Sequence, residues 1–219
     1  MPRLQLRPRP RPPPSPPPPA LPGAVRPILE YPAPQLRARC APLLDAASPQ
    51  ARSLLMDLPA TLAAHNGMGL AAPQLGELLR VFVLRTPRGW TSGAAARAPP
   101  QRASAPFPFT LCVNPRVLRR SEESLLGMES CLSLEGEPLL VRRSVRVEAA
   151  WEDGEGGSVE ATLEGLPAVV FQHELDHLDG ALIIDREERV APRERDAVMS
   201  HAGGLFREAY KRYYGERLR

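Results

Sequence analysis

Apolar and polar positions alternate with distinct periods along this chain, and each period predicts an element. In "SPQARSLLMDLPATLAAHNG" (48–67), Leu54, Leu55, Leu58 and Leu62 recur at helical spacing and share one face. Ser48 is placed to cap that helix, Pro49 suits its first position, and Asn66-Gly67 ends it. Pro59 falls inside the pattern and is expected to kink it. "LLRVFVLR" (78–85) and "FTLCVNPRVL" (109–118) read as buried strands, and the Pro-, Ala-, Gly- and Arg-rich stretch 86–108 between them reads as a mobile loop. "LLVRRSVRVEAAW" (139–151) alternates like one strand. "EDGEGG" turns it and "SVEATLEG" returns, which predicts a hairpin. A helix is expected from Leu166-Pro167 through "FQHELDHLDG", and a last one from about Pro192, weakened by Gly203-Gly204.

Residues 1–25 have no such period. Eleven prolines and four arginines, with no acid, predict a disordered, polyproline-II-like tail ahead of a single domain over 26–219. The tail is basic and acid-poor like an organelle transit peptide, but it has a single serine and too much proline for an amphipathic helix. An organelle address therefore stands as the alternative to the cytoplasm. At 219 residues, 43% hydrophobic and 24% charged, the chain fits one globular domain with its own core. A net charge of +3 makes no case for DNA, and no apolar run reaches the length that spans a bilayer. Three widely spaced cysteines form no disulfide framework and point to a reducing compartment.

Candidate chemistry concentrates in three stretches. His173 and His177 stand four apart, so one helix face presents both imidazoles to one metal ion. Glu174 is offset by about 100° and can act as general base rather than ligand. The two histidines directly follow the apolar "AVVF", so their face is expected to be buried. A third ligand is required. The histidine of the longer zinc-peptidase pattern is missing, because position 183 is isoleucine. Glu187 and Glu188 lie between arginines and read as a solvated face. Cys131 in "MESCLSL" is the better candidate, although a lone cysteine is more often a small buried side chain. In "GMGLAAPQLG" (67–76) the glycines would let a substrate backbone come close, and Gln74 could donate to a developing oxyanion; the competing reading is a plain helix end and turn with Gln74 exposed.

Taken in order, "GMGLAAPQ" (67–74), "ESCLS" (129–133) and "QHELDH" (172–177) resemble the three motifs of the peptide deformylase family. The resemblance extends from Pro27 to about Arg189, through "ILEYPAPQLR" and "VNPRV". It implies an α+β fold with β-sheets around a central helix that carries the histidines. It implies metal ligation by Cys131, His173 and His177, and proton transfer by Glu174. The Leu132 N–H and Gln74 would hold the oxyanion, Gly69 would align the peptide, and Met68, Leu132 and Val169 would line a methionine pocket. The implied reaction removes the N-formyl group from formyl-methionyl nascent peptides. The implied cofactor is one divalent ion, Fe(II) foremost, with zinc, nickel or cobalt possible. A monomer is expected, as is a transient ribosome contact through the basic, tyrosine-rich stretch 205–219. Two departures stand out. Ser130 replaces the glycine that usually precedes the metal cysteine, and an arginine associated with peptide binding is missing before Pro138. They leave open a related amidohydrolase acting on another small N-acyl group, or a metal-binding relative without catalysis.

Overall fold

The computed structural model describes residues 22–85 and 109–191, with positions 193, 196 and 198 beyond them. Most of the expected tail, the 86–108 stretch and the basic C-terminal stretch lie outside the described residues; the helix expected from Pro192 is represented by those three positions, each helical.

The centre of the fold is an antiparallel five-stranded sheet in the order β1-β2-β3-β6-β7. Its strands are β1 (Gly69–Ala71), β2 (Val81–Arg85), β3 (Phe109–Arg120), β6 (Arg146–Glu152) and β7 (Ser158–Glu164). A second, two-stranded sheet pairs β4 (Ser124–Glu129) with β5 (Leu139–Ser144). Helix α1 (Pro49–Ala64) covers one face of the main sheet and α2 (Leu166–Leu178) the other.

Strand β2 shows why the apolar run "VFVL" is unbroken. Side chains alternate faces along a strand, and both faces here are covered. Val81 and Val83 pack with Leu54, Leu58 and Leu62 of α1. Phe82 and Leu84 pack on the other side with Phe171, Leu175 and Leu178 of α2. The Phe82 and Phe171 rings meet edge to face, with centroids 5.2 Å apart.

Several expectations hold in detail. Ser48 caps α1, its hydroxyl accepting the Ala51 N–H at 3.3 Å. Pro59 falls inside the helix, where the sequence placed it, and α1 continues past it to Ala64. The hairpin of β6 and β7 closes over residues 153–157, with Asp153 accepting the Gly157 N–H at 2.7 Å. The segment 139–151 differs from its expectation, being two strands in two sheets. β5 pairs with β4 from Glu129↔Leu139 to Ser144↔Ser124, whereas β6 pairs with β3 and β7. The switch falls at Val145, whose N–H goes to Glu123 and whose carbonyl accepts from Gly165. Alternation continues through the switch, so the pattern alone did not reveal it. Residues 22–25 are described and sit against α1: the Ala24 N–H donates to Asp57 at 2.8 Å, and a Cβ on Gly23 would lie 2.2 Å from the Met56 carbonyl oxygen.

Candidate active site

Helix α2 starts on Gly165, whose φ of 66° and ψ of −131° only glycine adopts readily, followed by Leu166 and by Pro167 in the first turn. The helix buries three polar residues, Gln172, Glu174 and His177, beside its apolar ones. Gln172 is satisfied there, its amide donating to the Ser144 and Ala168 carbonyls at 2.9 Å each. His173 and His177 follow one turn apart with ring centroids 5.2 Å from each other.

The turn after β4 brings Cys131 to these two rings. Its Sγ lies 3.3 Å from His177 Nε2, and one ligand atom from each of Cys131, His173 and His177 falls within 4.8 Å of the others. His173 uses its Nδ1 elsewhere, donating to Glu129 Oε2 at 2.8 Å, which leaves Nε2 for the cluster. A carboxylate holding the far nitrogen of an imidazole is the arrangement that fixes a metal-binding histidine. His177 Nδ1 and Glu174 Oε2 are buried with no hydrogen-bond partner. A thiol and two imidazoles converging at this range fit one divalent ion, and soft and borderline metals such as iron, zinc, nickel and cobalt all suit that set.

Glu174 is 3% exposed and lies directly over Gly69. A Cβ on Gly69 would stand 2.3 Å from Glu174 Oε1. The bare Cα of Gly69 thus makes room for the carboxylate, and Gly69 also lines the cavity. Burial pushes the Glu174 carboxyl up to about 7, with the Glu129 charge adding and His173 and Arg143 opposing. A dication at the cluster would draw it back toward the ionised form.

Gln74 is buried, which removes the exposed-turn reading of "AAPQLG". Its Oε1 accepts the Ala71 N–H at 2.8 Å. That fixes the amide so that Nε2 reaches Ser133 Oγ at 3.0 Å and faces Cys131 Sγ at 3.8 Å. Met68, Gly69, Gln74, Cys131, Leu132, Val169, His173 and Glu174 line one cavity of about 590 Å³. His177, 1% exposed, is the one expected site residue outside that lining. Ser130 opens onto the cavity without a positive φ, so it introduces no backbone strain. Pro138 lines the same cavity, and no arginine or lysine lines it among the described residues.

Sequence reasoning missed the supports of this centre. Arg143 grips Glu129 through two bonds of 2.8 and 3.0 Å and reaches Asp176 at 2.5 Å, and Asp176 is also held by Arg186. Burial works to raise the Glu129 carboxyl, but the hydrogen bonds and charges of His173 and Arg143 prevail and hold it at about 2. A signal was present: Glu129 lies two residues before Cys131, and Asp176 one before His177.

Known proteins share this architecture. The family model described as polypeptide deformylase matches residues 25–193. Peptide deformylase 2 of Nostoc sp. is 38% identical over 138 residues, 63% of this chain and 72% of the relative. Peptide deformylase 1A, chloroplastic/mitochondrial, of Arabidopsis thaliana is 33% identical, over 62% of this chain and 50% of the plant protein. Among solved structures, the Thermotoga maritima peptide deformylase superposes with a TM-score of 0.63 at 30% identity, over 76% of this chain and 99% of that one. The Met-Ala-Ser-bound class I type b enzyme of Acinetobacter baumannii also gives 0.63, at 32% identity over 75% and 99%. With more than half of its length matched, and with ordered motifs that fold around one cavity, the chain belongs to the polypeptide deformylase family.

Proposed function

We propose that this chain hydrolyses the N-formyl group of formyl-methionyl peptides, releasing formate and a free amino terminus. The observation that carries the reading is the cluster of Cys131, His173 and His177 with Glu174 beside it over a bare Gly69. A divalent ion held by those three ligands would supply a Lewis acid and lower the pKa of the attacking water toward neutrality. Glu174 takes the proton from that water and hands it to the departing amine. The Gln74 amide, aimed by its bond from Ala71, and the Leu132 N–H donate to the oxyanion. Glu129, clamped by Arg143, fixes the ring of His173. Met68, Leu132 and Val169 offer an apolar wall to a methionine side chain.

Fe(II) is the metal we assign, on the family resemblance, with zinc, nickel or cobalt able to occupy the same donors. We place the protein in the cytoplasm as a monomer that contacts ribosomes transiently through 205–219. Relatives named as chloroplastic support an organelle as the alternative address. No described helix is long and apolar enough to cross a membrane. The test is formate release from a formyl-methionyl peptide and from its acetyl analogue, with protein purified anaerobically beside protein purified in air. Formate release at full metal occupancy, with the acetyl peptide intact, supports the reading. Hydrolysis of the acetyl peptide alone would make the protein a different amidohydrolase.

A further inference from the structure

The chain has two asparagines, Asn66 and Asn114. Both adopt a positive φ, 54° and 49°, a conformation asparagine tolerates better than most residues. Their surroundings are opposite. Asn114 is locked: its Oδ1 accepts the Leu43 N–H at 2.9 Å, and its Nδ2 donates to the Leu43 carbonyl at 2.9 Å and to Glu152 at 3.2 Å. The residue after it is Pro115, which has no N–H. Asn66 is exposed just beyond the C-terminus of α1 and opens onto the catalytic cavity. Its side chain makes no hydrogen bond among the described residues, and it is followed by Gly67, which has no side chain to hinder attack.

We infer that Asn66 is a site of spontaneous deamidation whose product disables the active site. Asparagine is among the thermolabile residues, and here its side chain is exposed and held by no hydrogen bond among the described residues. The Gly67 backbone nitrogen loses its proton to solvent base and attacks Asn66 Cγ. A C–N bond forms, the bond from Cγ to Nδ2 breaks, and ammonia leaves. The resulting five-membered imide is opened by water. Opening at Cγ gives aspartate at position 66. Opening at the main-chain carbonyl gives isoaspartate, in which the backbone runs through Cγ and is one methylene longer. No oxidant or reductant takes part.

The packing of Gly67 sets the consequence. Even a Cβ added there would lie 2.6 Å from Leu62 Cδ1 and 3.0 Å from Leu132 Cδ1. A longer backbone at this junction has no slack, so it displaces Met68 and Gly69. Gly69 carries Glu174 on its bare Cα, so the general base moves with it. The three metal ligands come from α2 and the β4–β5 turn and are left in place.

The test is to age the metal-loaded protein in mildly alkaline buffer at physiological temperature. Samples are followed by peptide mapping, ammonia release, metal content and turnover of any active-site substrate. Expected is conversion of Asn66 to a mixture of aspartate and isoaspartate with Asn114 unchanged. Activity should fall in proportion to the isoaspartate fraction at constant metal content. Asn66→Gly keeps the backbone conformation without strain and removes the reacting amide, so it should hold its own starting activity over the same period. The inference is overturned by an intact Asn66 after ageing or by decay of Asn66→Gly at the wild-type rate. A melting curve on each sample separates unfolding from local damage, and a loss of activity that tracks unfolding also counts against it.

Discussion

Helices α1 and α2 cover opposite faces of the same strand, and both place a proline in their first turn. Their contents diverge from there. α1 has a serine cap and buries Leu54, Leu55, Leu58 and Leu62. Its two buried polar residues are both satisfied by the segment before it: Asp57 accepts the Ala24 N–H at 2.8 Å, and Thr61 the Arg26 N–H at 3.0 Å. α2 starts without a side-chain cap and buries Gln172, Glu174 and His177, leaving Glu174 Oε2 and His177 Nδ1 with no partner. An unsatisfied buried polar group typically costs about 1–3 kcal/mol. One helix is built for stability, and the other buries polar groups of the site at a cost to the fold.

That contrast can be broken most decisively at the metal. Cys131→Ala or His173→Ala should remove most bound metal and abolish turnover while the protein stays folded; elemental analysis showing one metal per chain in either variant would refute the ligand assignment. Leu58→Ala in α1 should do the reverse, lowering stability by about 2–5 kcal/mol as buried leucine truncations do, with turnover per folded molecule preserved. Chemical denaturation beside active-site titration separates the two effects. Glu129→Gln lies between them. Losing the carboxylate that orients His173 should cost about 10–100-fold in metal affinity or activity. Its acid profile follows from sign. Glu129 sits at about 2 against an ordinary 4.5, so its contribution is full above about 4.5 and lost as pH falls through about 2. The variant should lose less stability over that window than the wild type, and identical acid limbs would argue against the pair with Arg143. The smallest effect belongs to the cap of α1. Ser48→Ala should reduce stability by about 1 kcal/mol and leave metal affinity unchanged, which isothermal titration can check.

The two helices were also unequally legible in the sequence. The leucine face of α1 and the i, i+4 histidines of α2 are local patterns, and local patterns survive as text. β1 is three residues long and β4 contains Gly127, so neither has a period strong enough to read. Both exist because a neighbour pairs with them. The division of 139–151 between two sheets is likewise a decision of pairing, since inward and outward positions continue through Val145. At the site, the three motifs pointed to residues that the fold brings together: Cys131, His173 and His177 in one cluster, and Glu174 and Gln74 on the cavity that Cys131 and His173 also line. The motifs could not supply Arg143, which joins Glu129 to Asp176 across 14 and 33 residues of chain. They gave Gly69 a part in aligning the peptide but did not show that its bare Cα also makes room for Glu174.

The central claim is that Glu174 moves the proton at a metal centre it does not itself bind, and Glu174→Ala tests it in one preparation. Metal content, melting temperature and kcat/KM for deformylation are measured on the same sample as for the wild type. Metal should be retained, and stability should be equal or higher, since a buried carboxyl with an unpartnered oxygen is gone. The rate should fall by about 10⁴-fold or more, the upper end of general acid–base catalysis, because one group serves both the water and the amine. Loss of the metal would make Glu174 a ligand, and near-normal turnover with the metal in place would put the base elsewhere.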